Sequence, residues 1–416
     1  MNGPPKRPPR AKSCQTLEAF EQKGRRDIRG AKEKRRKTMK FQANSLFAAA
    51  SDRAKTVNLS TKLAVLGVGA LALTSSVAMA QNTTPLIPLP PPSVSTVPSN
   101  GDVNPYGVAF VPSHFRTGGV LNPGDILVSN FNNSQNLQGT GTTITRVTPA
   151  GATSTFYQGK APLGLTAALV AVKHGLVFVG NMPTADSTSA TVQPGSILIL
   201  DRKGELDGTL TDPNLINGPW GMAIHEQGNQ AQMFVSNVLS GTVVRFDLSF
   251  FENSDAVQIR QKVQIASGYQ HRGDPAALEL GPSGLAYDAA TDTLYVASSL
   301  EDAVFQIDNA GSLMSDGGTG KMIYQDNVHL HGPLDLVLAP NGHLIVANSD
   351  GMNVDPNQPS EIVEFTTGGQ FVAQFSVDPA NGGAFGVNLV NVGGAVRFAA
   401  VDDNKNSLNM WTVPIE

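Results

Sequence analysis

Gly218 to Leu248 reads G-P-W-G-M-A-I-H-E-Q-G-N-Q-A-Q-M-F-V-S-N-V-L-S-G-T-V-V-R-F-D-L. Three short apolar runs rich in Val, Ile and Phe stand in it, each parted from the next by Gly, Asn, Gln or Ser. That is the pattern of successive antiparallel strands joined by tight turns. The stretch recurs. Gly221 has counterparts at Gly107, Gly164, Gly284, Asp335 and Gly386, at spacings of 57, 57, 63, 51 and 51 residues. A unit of this length holds about four strands, and six such units without helical periodicity between them predict an all-β fold, a six-bladed β-propeller of four-stranded blades.

The first five units each carry a fourth, outer strand, for example Lys262 to Ala266 or Phe371 to Phe375. The sixth runs through Phe385-Gly386-Val387, Arg397 to Asp402 and Leu408 to Val413, and has no residues left for a fourth. An edge left open there would expose a row of backbone donors and acceptors. Val94-Ser95-Thr96-Val97, ahead of the first blade, is the segment with β-type residues that no blade uses. It is predicted to complete the last blade and so stitch the two ends of the chain together, with Pro98 ending the strand.

Residues 1–62 carry 17 basic and 5 acidic side chains. The apolar run Leu63 to Leu73 is too short to span a bilayer, and Ala78-Met79-Ala80 supplies the small residues a signal peptidase accepts. The organisation read from this is a basic leader with a secretory signal peptide over 1–80, a Pro/Ser-rich linker holding the closing strand over 81–101, and the propeller over 102–416. Met39 is an alternative start. Cleavage after Ala80 would give an exported chain, periplasmic or extracellular, without a stable membrane span and expected to act as a monomer. Beyond Ala80 there are 13 basic and 29 acidic residues, a net charge of −16. Nucleic acid is then excluded as a partner, because phosphate recognition needs a basic face, whereas cations are suitable ligands. Cys14, the single cysteine, lies in the leader, so the exported part has no thiol chemistry.

Two phrases recur across the blades. One is a strand opening P-x-G-h-A (Pro219-Trp220-Gly221-Met222-Ala223; Pro282-Ser283-Gly284-Leu285-Ala286). The other is h-V-S/A-N/S closing the second strand (Phe234-Val235-Ser236-Asn237; Tyr295-Val296-Ala297-Ser298; Ile345-Val346-Ala347-Asn348). With the F/I-D that ends the third strand, these resemble NHL-type repeats and, more distantly, the SMP-30/gluconolactonase, paraoxonase and TolB-like propeller groups. The resemblance covers the whole chain beyond the leader and implies architecture rather than activity.

A resemblance to propellers of this kind also implies that strand openings and second-strand ends share the face that holds the mouth of the central channel. Asn130, Asn181, Asn237, Ser298, Asn348 and Asp402 would then form one circle of short polar side chains. Two readings are open. The six oxygens can hold a hard cation such as calcium. Alternatively each side chain turns the backbone, the commoner role of Asn, and Asp402 alone brings charge. Tyr106, Leu163, Trp220, Ser283, Leu334 and Phe385 precede the opening glycines and their counterpart Asp335. Their three aromatics suit either a stacking platform for a ligand or packing between blades. His329 and His331, spaced to share one side of an extended segment, and His271 in the preceding loop suggest a metal or acid–base cluster. Solvated loop histidines are the plainer reading, since no carboxylate stands at a spacing that would fix their tautomer.

The favoured function is an exported binding or scaffold protein with a small-molecule, protein or peptide ligand at the channel mouth. The alternative, implied by the resemblance, is a calcium-dependent lactonase or esterase-like hydrolase. Relatives of that group hold the metal with an early Glu, two Asn and an Asp, the latter in P-N-G and P-D-G openings. Here Ser283 stands in the Asn place, Leu334 in the Asp place, and no Glu occurs between Gln81 and Arg202. Asn181, Asn237 and Asp402 remain as candidate metal ligands. Neither a G-x-S-x-G elbow, an H-E-x-x-H pair, a P-loop nor a dinucleotide fingerprint is present.

Overall fold

The computed structural model describes residues 85–86, 93–252, 254–326, 328–348 and 359–414. The basic leader, Cys14, the signal peptide and its cleavage at Ala80, and most of the Pro-rich linker lie outside these residues. Among the described residues there are six four-stranded antiparallel sheets, one two-stranded hairpin and a single 3-10 turn at Ser189–Thr191. No described helix is long and apolar enough to cross a membrane.

Blade 1 consists of Val103–Phe110, Ile126–Asn132, Thr143–Val147 and Thr153–Gln158, from the axis outward. Blade 2 consists of Leu165–Val172, Leu176–Asn181, Ser196–Asp201 and Leu206–Leu210. The quoted stretch supplies the first three strands of blade 3, Pro219–Gln227, Gln230–Asn237 and Thr242–Phe250, and Val257–Ser267 is its outer strand. Blade 4 is Pro282–Asp288, Thr293–Ser298, Ala303–Asp308 and Lys321–Tyr324, and blade 5 is Pro333–Leu338, His343–Asn348, Glu361–Thr366 and Phe371–Ser376. Blade 6 has Val387–Val392, Ala395–Asp402 and Ser407–Pro414. Its fourth strand is Ser93–Ser95, paired as Ser93 with Asn409, Val94 with Leu408 and Ser95 with Ser407. The ring closes as the open edge of the last unit requires, over a shorter span than expected. Val97 lies outside the strand and is exposed, whereas the Thr96 amide and hydroxyl both reach Asn406 O, at 2.9 and 3.0 Å.

The core is divided among the gaps between blades. Met233 and Val235 pack with Phe178 and Ile197 of blade 2, and Phe234 between them packs with Leu294 and Phe305 of blade 4. Alternate residues of one strand therefore face different neighbours, and both neighbours are apolar, so the run M-F-V is continuously hydrophobic. The same arrangement fills all six gaps, including the one where blade 6 meets blade 1 through Val401, Leu408, Val108 and Val128.

The innermost strands neighbour one another in cyclic order, and one side-chain hydrogen bond crosses every junction. Ser129 Oγ donates to Thr166 O at 2.8 Å, Thr166 Oγ1 to Pro219 O at 2.7 Å, and Ser236 Oγ to Ser283 O at 2.5 Å. Ser283 Oγ donates to Pro333 O at 3.0 Å, Asp335 Oδ2 accepts from Val387 N at 3.0 Å, and Asn388 Nδ2 donates to Val108 O at 3.1 Å. Ser129 and Ser236 also accept the amides of Gly107 and Gly221, each at 2.9 Å. The serine of the V-S-N phrase is thus the link from its own blade to the next. The opening glycines follow from the same crowding: a Cβ at Gly221 would meet Ser283 O at 2.1 Å, and one at Gly284 would meet Asp335 Cα at 2.4 Å.

Candidate functional site at the channel mouth

The six polar residues expected to ring the channel are turned into their own blades. Asn237 Oδ1 accepts from Asn217 N at 2.9 Å while its Nδ2 donates to Leu215 O at 3.0 Å and Thr242 Oγ1 at 3.2 Å. Asn181 accepts from Gly164 N at 2.9 Å and donates to Ser196 Oγ at 3.2 Å. Asn130 donates to Thr145 Oγ1, Ser298 to Glu301 Oε2, and Asn348 to His329 O and Glu361 Oε1. Asp402 Oδ1 accepts from Lys405 N. Asn130, Asn237, Ser298 and Asn348 are 0% exposed, so the wet opening expected around them is corrected to a buried one. A side chain that ties a strand end to the preceding loop must point along the blade and cannot also point at the axis.

The aromatics do come together. Tyr106 stacks on Phe131 with ring centroids 4.7 Å apart and meets Trp220 edge-on at 5.7 Å and Phe385 at 5.1 Å. Leu334, Met182 and Leu278 join the same cluster, so side chains from blades 1, 2, 3, 5 and 6 meet across the axis. Trp220 is 1% exposed and Tyr106 4%, and burial pushes the Tyr106 hydroxyl well above the usual phenol range. Leu163 and Ser283 take other roles: Leu163 packs between blades 1 and 2, and Ser283 makes its cross-junction bond.

This cluster separates two cavities that share no lining residue. The channel cavity, about 280 Å³, is lined by all six innermost strands. Asp335 is the one carboxylate on its wall, and burial pushes its pKa up to about 7 despite the two backbone amides, Leu336 and Val387, that it accepts. It keeps a partly exposed surface on the channel wall.

The mouth cavity, also about 280 Å³, has Tyr106, Phe131, Leu334 and Phe385 as its floor and Asn104, Asn132, Glu279 and Asp403 among its walls. Glu279 was not foreseen. It belongs to a hairpin, Arg272–Asp274 paired with Leu278–Leu280, which occupies the extra length of the 63-residue repeat. Leu278 packs into the aromatic cluster, and Glu279, 6% exposed, lines the cavity beside it. Burial alone pushes its carboxyl up to about 7. Burial, then the neighbouring Asp402, pushes Asp403 to about 7 as well. The carboxamide oxygens of Asn104 and Asn132 are buried without a hydrogen-bond donor.

The histidines stay apart from this cavity. His329 is held by Asp326 and stacks on Phe371 with centroids 3.8 Å apart, while His331 Nε2 lies 3.0 Å from Val328 O and His271 is exposed. The carboxylate thought absent is Asp326, three residues before His329. Burial raises the Asp326 pKa, but its bonds to the His329 amide and ring, the Val328 amide and the Tyr324 hydroxyl together lower it by more, so it sits well below the usual carboxylate range. Among the described residues no three His, Cys, Asp or Glu side chains gather as a metal-binding group.

No known family profile and no curated protein matches the sequence. Among solved structures the chain is similar to a gluconolactonase from Xanthomonas campestris, at 12% identity over 80% of this chain and 99% of that one, with a TM-score of 0.46. It is similar to regucalcin, a calcium-binding protein from Agrobacterium tumefaciens, at 11% identity over 78% and 95%, TM-score 0.45. A streptogramin B lyase matches at 13% identity over 78% and 88%, TM-score 0.42. The likeness is one of fold. It assigns no role to any residue here.

Proposed function

We propose that this chain is an exported β-propeller that binds a small molecule in the cavity at the mouth of its axial channel. One observation carries the reading: an aromatic floor and the side chains of Glu279 and Asp403 line one cavity of about 280 Å³. Apolar surface beside a few convergent polar groups is the usual make-up of a ligand site. Phe385 is the half-buried member of the floor, the ring a ligand would touch first. A thermal-shift screen over neutral, anionic and cationic compounds tests this. Ligands should raise the melting temperature of the wild type and lose most of that effect in Phe385→Ala. Equal shifts in both proteins, or no shift with any class, would remove the mouth as the site.

A hydrolase reading draws on the two carboxyls, Glu279 and Asp403, both held near pH 7 in one cavity, since acid–base catalysis uses groups poised there. Hydrolysis of lactones or aryl esters, lost in Glu279→Gln, would place this chain among enzymes instead.

A further inference from the structure

Resting on the mouth as the binding site, we infer that its ligand is an organic cation, a molecule presenting an ammonium group to Glu279 and Asp403 above the aromatic floor. The wall brings two carboxyls and several carboxamides to one cavity. Asn132 spends its Nδ2 on Asn136 Oδ1 at 2.7 Å, which leaves its own oxygen, in a residue 2% exposed, without a donor. Asn104 Oδ1 is buried in the same state. Asn404 spends its Nδ2 on protein oxygens, among them Asn381 O at 3.0 Å. Among the described residues no hydrogen bond or cation stabilises the charge of Glu279 or Asp403: burial is the cause of the one shift, and burial with a second carboxylate of the other.

A buried acceptor without a donor costs about 1–3 kcal/mol, and the two carboxamide oxygens in this state, together with the two carboxyls on the cavity wall, favour a ligand that donates. Charge selects the ligand further. A neutral polyol satisfies acceptors but leaves two desolvated carboxyls uncompensated, whereas an ammonium does both. The floor decides between an organic and an inorganic cation. Aromatic faces attract ammonium through the ring quadrupole, and the organic body covers the apolar rings. A hard metal ion instead asks for about six to eight oxygens, and an aromatic floor supplies none.

Calorimetric titration of the full chain with 2-phenylethylamine and 1,4-diaminobutane, against 2-phenylethanol, 1,4-butanediol and calcium chloride, tests the inference. The amines should bind, the alcohols at least about tenfold more weakly, and Glu279→Gln and Asp403→Asn should each weaken the amines by about tenfold or more. Both variants are close in shape to the wild type, and melting curves taken alongside establish folding; Phe385→Ala, which leaves both carboxyls in place, should weaken the phenyl amine as well. Amine binding unchanged in both carboxyl variants, alcohols as tight as amines, or calcium binding that the amines do not compete with would each overturn it. Should a neutral or anionic compound prove to bind at the mouth as tightly as the amines or more so, the organic cation falls while the binding site stands. A mouth that takes no compound of any class removes both.

Discussion

Asp335 Oδ2 accepts the backbone amide of Val387 at 3.0 Å across the junction of blades 5 and 6. Of the six links between innermost strands described above, four are made by a hydroxyl and one by a side-chain amide, and this one by an ionisable group. Asp335 also stands where other blades carry glycine. Its side chain fills the space and reaches into the channel, where burial holds its pKa near 7.

That shift gives a signed pH dependence. The folded state binds this proton more tightly than the unfolded chain, so the stability tied to the group is fully present below the ordinary carboxylate range. It is lost as pH rises through about 7. Asp335→Asn should therefore remove one descending component between about pH 4 and pH 7, and gain on the wild type by about 1–3 kcal/mol at pH 8 relative to pH 4. Urea melts of both proteins at the two pH values measure the difference, and parallel pH profiles would mean that Asp335 ionises as freely as in the unfolded chain.

The second-strand asparagines should behave as ties within a blade. Asn237→Ala deletes bonds to Leu215 O, Asn217 N and Thr242 Oγ1 at a position with no exposure, and is expected to cost about 1–3 kcal/mol. Ligand affinity at the mouth should not change. A stability loss within about 0.5 kcal/mol, as for ordinary surface substitutions, would show the side chain to be solvated after all.

The architecture was legible because it is written with a period. Five of the six blades repeat a glycine opening and each second strand ends in a variant of the V-S-N phrase, and in blade 3 both are explained by contacts at the next junction: Gly221 against Ser283 O, Ser236 bonded to it. The missing outer strand of blade 6 could be found by counting strands alone. The site lacks such a period. Glu279 lies in the three-residue strand Leu278–Leu280, too short to show alternation, inside an insertion that only the longer spacing betrays. Asp403 is one residue past Asp402, and along an extended chain one residue exchanges the buried face for the open one. Residue type placed aspartate near the mouth, but facing depends on the loop that follows the strand, where Asp403 N bonds Gly383 O.

At Gly221 the requirement is for space, not for an unusual backbone angle. Gly221→Ala would set a methyl 2.1 Å from Ser283 O and 3.0 Å from Gly284 Cα, both backbone atoms that cannot swing aside. The blades must part, and the Ser236–Ser283 link weakens with them, so a loss of about 1–3 kcal/mol is expected. Gly228→Ala is the control. Nothing lies within 4 Å of a Cβ there, although its φ of +60° adds strain. Should Gly228→Ala prove the more damaging of the two, backbone strain and not crowding between blades would govern the glycines of this ring.

Closure of the ring can be tested from the N-terminal side. Ser93–Ser95 pairs with Ser407 to Asn409, and Thr96 extends the join on both flanks, through Asn406 O and through the Thr145 hydroxyl that donates to Thr96 O at 2.7 Å. Val94 packs against the cluster between blades 6 and 1. Farther upstream, Leu86 N donates to Glu364, itself hydrogen-bonded to His343, and the Leu86 side chain joins the cluster between blades 5 and 6. Removing residues up to Thr84 should leave the melting temperature unchanged. Removal through Val97 should lower it sharply, because the inner join opens an edge strand and unpairs the buried Thr145 hydroxyl. A cut just after Leu86 should fall between the two, since it takes one buried contact and leaves the strand. Melting temperatures that fall in a different order, or not at all, would mean that blade 6 holds its place without the N-terminal strand.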